Sequence, residues 1–240
     1  MIVAAHQPAY LPWLGYLDKM AKADLFVVMD DLPFESRSFQ HRQRVKLNTG
    51  VGWLTVPVEH GPRTERILDK RIDHAASPHW QRRAWRTLES HYARAPYFAR
   101  YADELREVYE RSWTDLVELD LELLALARRW MCIRVPILRA STLELAGTGT
   151  DRLIDLCKKV GARAYLSGSG GATRSLDAEQ IGRAGIGVIW QHFDHPVYPQ
   201  RYPGQGFVSH LAFLDLLFNC GETSFELMFP RSHPIHVGAR

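Results

Sequence analysis

Short apolar runs of strand length recur along this 240-residue chain, and polar or glycine-rich residues follow most of them. Helical spacing at 14–23 and 151–160 separates successive runs. Strands that alternate with helices favour a parallel sheet. The sequence therefore predicts an α/β fold with a mostly parallel, Rossmann-like sheet. The runs are residues 2–5, 25–29, 133–138, 163–166 and 187–193.

The middle of the chain departs from this alternation. Ser77 and Pro78 form a helix start, and apolar residues then keep helical spacing through three segments, which predicts a helical insertion at about 77–131. Residues 42–58 alternate partly around Asn48-Thr49-Gly50, which predicts a hairpin. We expect residues 1–240 to form a single domain.

Composition narrows the class of protein. Apolar residues make up 46% and charged residues 24% of the chain, as in folded globular proteins. The net charge of +3 gives little sign of a nucleic-acid binder. The three cysteines show no C-x-x-C spacing, and no leader or membrane-spanning run is visible, so we expect a cytoplasmic protein.

Ligands of open α/β sheets gather beyond the carboxyl ends of the strands. Residues that could carry chemistry follow four of the predicted strands: His6, Asp30 with Asp31, Ser167, and His195. An imidazole at such a position can transfer protons near neutral pH, although a buried histidine often only bonds a loop carbonyl. Asp30 could orient such a base and Asp31 could bind substrate, or both could simply initiate a turn.

Residues 37–46 concentrate four fixed cations and a histidine in ten positions. On an extended strand Gln40, Arg42, Arg44 and Lys46 would share one face, which could hold phosphate, carboxylate or an RNA backbone. A solvated edge strand protected by its charge explains the pattern equally well. We nominate Arg42 and Lys46 as binding residues.

The segment from Ser167 and Gly168 to Gly171 follows a strand and could form an anion-binding nest. It lacks the lysine of a Walker loop, so it does not define a nucleotide site.

A proline-rich stretch after residue 194 resembles a rigid loop that presents His195, Tyr198 and Gln200. On the apolar helix that follows, Asp215 and Asn219 lie one turn apart and could support this loop.

Several blocks of sequence resemble the WbqC-like protein family. The opening block is His6-Gln7-Pro8-Ala9-Tyr10-Leu11-Pro12-Trp13-Leu14-Gly15-Tyr16, which is highly specific. Further similarity lies in Asp30-Asp31, residues 38–46, Trp53 to Val58, His195-Pro196-x-Tyr198-x-Gln200 and the segment from Asp215 to Asn219. These blocks span nearly the whole chain.

The resemblance implies an aminoacyl (glycine-type) transferase that acts on an amino sugar or other small amine, in surface-polysaccharide or natural-product biosynthesis. In that interpretation His6 or His195 takes a proton from the amine, Asp30 orients the base, and the segment after Ser167 stabilises an oxyanion. Gln7, Tyr10 and Trp13 would contact substrate.

Donor, cofactor and alternative functions stay open at this stage. Arg42 and Lys46 could bind an aminoacyl-tRNA donor. The sequence requires no cofactor, and ATP with Mg²⁺ or a divalent metal is compatible with it. A nucleotide-dependent ligase or nucleotidylyltransferase is one alternative, and a glycan- or RNA-binding module is another.

Overall fold

The computed structural model describes residues 1–168 and 176–230. Its strands are β1 (Ile2–His6), β2 (Leu25–Val28), β3 (Arg42–Leu47), β4 (Gly50–Thr55), β5 (Ile137–Arg139), β6 (Ala164–Ser167) and β7 (Gly187–Trp190). Its α-helices are α1 (Leu14–Ala21), α2 (Trp80–Tyr92), α3 (Phe98–Glu110), α4 (Leu116–Trp130), α5 (Gly149–Lys159), α6 (Ala178–Arg183), α7 (Phe213–Cys220) and α8 (Thr223–Met228).

Five strands form one parallel sheet in the order β5-β2-β1-β6-β7. The central strand β1 pairs with β2 on one side and with β6 on the other, so that Ala4 lies between Phe26 and Leu166. The chain builds outward from β1 to β5 and then returns to add β6 and β7 on the opposite side. The strand order therefore reverses between β1 and β6, where open α/β sheets bind ligands.

The two faces of the sheet are covered by different helices because side chains alternate along each strand. On one face Ala4 and Phe26 pack with α1, α4 and α7 in the larger apolar cluster. On the other face Val3 and Ala5 pack with α5 and α6. This arrangement confirms the predicted α/β fold with a Rossmann-like sheet.

Helices α2, α3 and α4 interrupt the alternation where the helical insertion is predicted. They contribute buried residues such as Trp80, Leu88, Leu105 and Leu123 to the larger cluster. The predicted hairpin is formed by β3 and β4.

Two strands are shorter than predicted. Strand β5 begins at Ile137 instead of residue 133, because residues 131–136 carry the chain from the end of α4 to the sheet. Cys132 adopts a positive φ of 52° in that turn. Strand β7 ends at Trp190, and residues 191–193 leave the sheet.

No helix in the described ranges of the chain combines enough length and apolar character to cross a membrane.

Candidate functional site

A buried lysine occupies the point where β1 and β6 separate. Lys19 extends from α1, is only 4% exposed, and donates from Nζ to the Ala5 carbonyl at 2.8 Å. Its Nζ also lies 5.7 Å from the ring centre of Tyr165 on β6. Within residues 1–168 and 176–230 no carboxylate forms an ion pair with it. Burial accordingly lowers the pKa of Lys19 to about 8.

His6 stands at the carboxyl end of β1, next to this lysine. Its partly buried ring packs edge-on against Tyr16 and Trp13, with centroid distances of 4.8 and 5.4 Å. Desolvation and, to a smaller extent, the charge of Lys19 lower the pKa of His6 to about 4. The imidazole is therefore neutral at physiological pH.

The tautomer of His6 follows from its hydrogen bond. Nδ1 lies 3.0 Å from the Gln7 carbonyl oxygen, which can only accept, so Nδ1 carries the proton. Nε2 consequently has a free lone pair, and no hydrogen bond to it is formed by the described residues. His6 thus offers an unprotonated nitrogen beside the Lys19 ammonium.

Ser167 and Gly168 form the opposite edge of this separation, at the carboxyl end of β6. Ser167 is 1% exposed, and among the described residues its Oγ makes only a long 3.4 Å contact, to the Gly168 carbonyl. The Ser167 carbonyl accepts from the Gln191 amide at 2.8 Å. Residues 169–171 of the predicted anion-binding segment lie outside the described residues.

A row of aromatic rings leads from His6 towards the hairpin. Trp13 lies 5.1 Å from Phe39, which lies 6.0 Å from Trp53 on β4. The guanidinium of Arg42 stacks over Trp53 at 4.3 Å. Phe39 and Trp53 are 39% and 47% exposed, so this row is open to a ligand. Trp13 and Arg42 are therefore joined in one surface.

Gln7 and Tyr10 have different surroundings. Gln7 accepts from the Gln40 amide at 3.1 Å at the edge of this row. Tyr10 is fully buried, and its hydroxyl lies 2.5 Å from that of Tyr109. Asp120 is also buried and has no hydrogen-bond partner among the described residues, so burial raises its pKa well above the ordinary range. Tyr10 therefore belongs to the core contact with the helical insertion.

His195 differs from His6 in that backbone groups engage both of its nitrogens. Nδ1 lies 2.9 Å from the Pro196 carbonyl, and Nε2 accepts from the His210 amide at 3.1 Å. Desolvation lowers the pKa of His195 as well. Its lone pair is thus already used in holding two parts of one loop together.

Asp30 lies at the end of β2 but contacts neither histidine in the described part of the chain. Its fully buried carboxylate accepts from Arg139 Nε at 2.7 Å, from the Ser141 amide at 2.9 Å and from Ser141 Oγ at 2.7 Å. These bonds tie β2 to the end of β5. Asp31 pairs with Arg152 on α5, and its Oδ1 has no described partner.

Lys46 and the proline-rich loop share a buried network. Lys46 is fully buried and donates to the Gln200 side chain at 3.1 Å and to the Gly206 carbonyl at 2.6 Å. Asp215 accepts from Tyr198 at 2.9 Å and from Gln200 at 2.7 Å. Burial raises the pKa of Asp215 despite these bonds. The network fixes the loop against β3 and α7.

Two predictions about this region need correction or completion. Gln40 lies before β3, so the expected shared strand face extends only over Arg42, Arg44 and Lys46. Lys46 is buried while the two arginines are partly exposed, because Gln200 and the Gly206 carbonyl bond its ammonium. Asn219 donates only to the Asp215 carbonyl, at 2.7 Å, within α7.

Sequence reasoning missed Lys19. The signal available was a lysine inside a short apolar helix that directly follows the opening block, in Leu14-Gly15-Tyr16-Leu17-Asp18-Lys19. Only the packing of α1 against β1 shows that this lysine points into the sheet and that its neighbour Asp18 pairs with Lys22 at 2.9 Å.

Metal ligation was left open by the sequence. Across the described ranges, no three His, Cys, Asp or Glu side chains are grouped closely enough to hold a metal ion.

Fold and site together define a doubly wound α/β protein with a neutral histidine and a buried lysine where the strand order reverses. Comparison with known proteins gives the family: the WbqC-like protein family matches residues 7–226, and the chain belongs to it. A relative from Mycobacterium tuberculosis (strain ATCC 25618 / H37Rv), the uncharacterized protein Rv1507c, is 35% identical over 222 residues. That match covers 91% of this chain and 94% of the relative. No solved structure matches.

Proposed function

We propose that this protein is an aminoacyl (glycine-type) transferase whose acceptor is an amino sugar or another small amine. The observation that carries the proposal is a neutral His6, whose Nε2 has no described donor, beside a Lys19 ammonium that forms no ion pair with a described carboxylate. Acyl transfer to an amine needs a proton acceptor and a positive group close together.

In the proposed chemistry, His6 transfers the proton and Lys19 stabilises the developing charge. The acceptor amine attacks the carbonyl carbon of an aminoacyl ester and forms a new C–N bond. Nε2 of His6 takes the proton released by the amine, while Lys19 stabilises the negative oxygen of the tetrahedral intermediate. The ester C–O bond then breaks, and the proton passes from His6 to the leaving oxygen.

The local environment supports these roles in two ways. A histidine with a pKa of about 4 stays unprotonated, and Lys19 with a pKa of about 8 stays charged, over the neutral pH range. The rings of Trp13 and Phe39 offer an apolar surface on which a sugar ring could pack. Arg42, on the same surface, offers a positive charge to an anionic donor such as an aminoacyl-tRNA.

Geometry favours His6 over His195 as the proton acceptor. The lone pair of His195 already accepts from the His210 amide, whereas that of His6 has no described donor. Asp30, Lys46 and Asp215 are assigned to positioning in this proposal, because each is buried within bonds that join elements of the fold.

The direct test follows product mass when purified protein is mixed with glycyl-tRNA, or with glycine, ATP and Mg²⁺, and a panel of amino sugars and diamines. The expected result is that the parent protein adds one glycyl group to an acceptor, whereas the His6→Gln and Lys19→Met variants add none. Lys22→Met, directly after the same helix, and His195→Gln are the controls. No transfer from any donor, beside an active control enzyme, contradicts the proposal.

One observation favours a second function, a nucleotide-dependent ligase. Numbered along the chain, the strands of the sheet have the order 3-2-1-4-5, which is the order of a dinucleotide-binding sheet without its sixth strand. Melting temperatures measured with ATP and Mg²⁺ separate the two functions. Saturable stabilisation together with ATP cleavage during the reaction favours the ligase.

A further inference from the structure

An open cavity of about 200 Å³ lies on the α5 side of the sheet, next to the β1–β6 separation. It opens beyond the ends of β2 and β6 and has mostly apolar walls. The walls are formed by Met29, Leu32, Gly149, Arg152, Leu153, Tyr165, Ser167 and Leu176.

Polar groups without partners interrupt these apolar walls. Arg152 donates to the Leu145 carbonyl at 2.7 Å and pairs with Asp31, but its buried Nε has no hydrogen-bond partner among the described residues. Among the described residues, the buried hydroxyl of Ser167 makes only its 3.4 Å contact. An aliphatic occupant would leave these donors and acceptors unsatisfied, which costs free energy.

The cavity adjoins the proposed reaction centre. Tyr165 forms part of its wall, and the ring of Tyr165 lies 5.7 Å from Lys19 Nζ. Ser167 also belongs both to the wall and to the edge of the β1–β6 separation. The cavity is therefore separated from Lys19 by a single side chain, that of Tyr165.

Size limits what this occupant can be. Pockets for whole drug-sized ligands span about 300–1,000 Å³, so this cavity fits one ring system. A glycyl group carries no side chain to fill apolar space. If the protein transfers glycyl groups, the cavity must receive another part of a substrate.

We infer that this cavity binds the heterocyclic base of a nucleoside, carried by the leaving group of the acyl donor. A base has apolar faces for Met29, Leu153 and Tyr165, and ring nitrogens and exocyclic groups for Arg152 and Ser167. The assignment of the base to the acyl donor rests on the proposed function, whereas the binding of a base in this cavity does not. A nucleoside 5′-phosphate and the 3′ end of an RNA both present this chemistry.

The test measures dissociation constants by calorimetry for the four nucleoside 5′-monophosphates, a short single-stranded RNA, and octanoate as an aliphatic probe. We expect at least one base-bearing probe to bind. Leu153→Trp, which fills the cavity, should weaken that binding at least tenfold, and Ser167→Ala should weaken it about fivefold. Lys158→Trp, an exposed position on α5, should leave it unchanged.

Different outcomes separate the two proposals. Binding of octanoate without any nucleotide or RNA, or nucleoside binding that neither Leu153→Trp nor Ser167→Ala changes, overturns the inference and leaves the proposed transfer standing. Nucleoside binding that depends on both residues, without any transfer, sustains the inference and removes the proposed function. Should Leu153→Trp fail to give a cooperative melting transition, Ser167→Ala decides the question. Strong binding of the RNA but not the monophosphates identifies an RNA 3′ end as the source of the base.

Discussion

Single hydrogen bonds distinguish the two histidines considered for this protein's site. His6 and His195 both bond a neighbouring carbonyl through Nδ1, but within the described residues only His195 receives a backbone amide at Nε2. One hydrogen bond therefore separates a histidine that can accept a substrate proton from one that holds a loop. This contrast makes the proposed roles separable by substitution.

Replacing His6 with glutamine should lower the transfer rate by about 10²–10⁴-fold, because glutamine keeps a polar side chain but cannot accept the proton. The same change at His195 should lower the rate much less. Steady-state kinetics with the acceptor identified by mass measure both effects. Equal losses for the two variants would show that His6 has no special role.

Removing the charge of Lys19 should lower the transfer rate without lowering the stability of the fold. The fall of its pKa from 10.5 to about 8 corresponds to roughly 3 kcal/mol by which folding disfavours the charged form. Lys19→Met loses this cost and one bond to Ala5, so its free energy of unfolding at pH 7 should equal or exceed that of the parent protein. Its transfer rate should fall about 10²–10³-fold.

Urea unfolding at pH 7 measures that stability. A large loss of stability in Lys19→Met, with activity lost only in proportion to the unfolded fraction, would show that this lysine is a structural residue.

The two lowered pKa values also predict a pH dependence. Nε2 of His6 is free above about pH 4, and Lys19 keeps its charge below about pH 8. The turnover number at saturating substrates should therefore fall as pH rises through about 8. Lys19→Arg, whose guanidinium stays charged, should remove this alkaline decline. A decline that persists unchanged in Lys19→Arg must come from another group.

The position of His6 at a strand end was predictable, because His6 follows an apolar run of strand length. The burial of Lys19 was not predictable, because a lysine near the end of a short helix is usually exposed. Its burial depends on how α1 lies across β1, which is tertiary packing that no local pattern encodes.

At the scale of elements, Asp30 joins two strands that are distant in sequence. Replacing it with alanine leaves Arg139 and the Ser141 amide without their acceptor, so we expect a loss of about 2–4 kcal/mol in the free energy of unfolding. Asp30→Asn, which keeps one acceptor, should lose less. Urea unfolding measures both variants, and a stable but inactive Asp30→Ala would instead assign Asp30 to the chemistry.

The elements themselves were largely predictable because their apolar periodicity is strong. The hairpin and the three middle helices lie where the spacing indicates. The burial of Lys46 was not predictable, because strand alternation places it on the same face as the partly exposed Arg44. Its partner Gln200 comes from a loop more than 150 residues away in sequence, and only the folded chain brings the two together.

Across the whole molecule, the order β5-β2-β1-β6-β7 explains why the site lies where it does. Strand β1 pairs with β2 as far as His6 but with β6 only as far as Ala4, and Lys19 bonds the Ala5 carbonyl beyond that last pair. The parallel sheet was predictable from the alternation of strands and helices. The order of its strands was not predicted, so the sequence could place polar residues at strand ends without showing which of them meet.

A crystal structure with a non-hydrolysable glycyl ester analogue bound tests the central proposal most directly. We predict its carbonyl oxygen within hydrogen-bond distance of Lys19 Nζ, with His6 Nε2 facing the position from which an amine would attack. An analogue bound at the His195 loop, or away from the β1–β6 separation altogether, would contradict the proposed site.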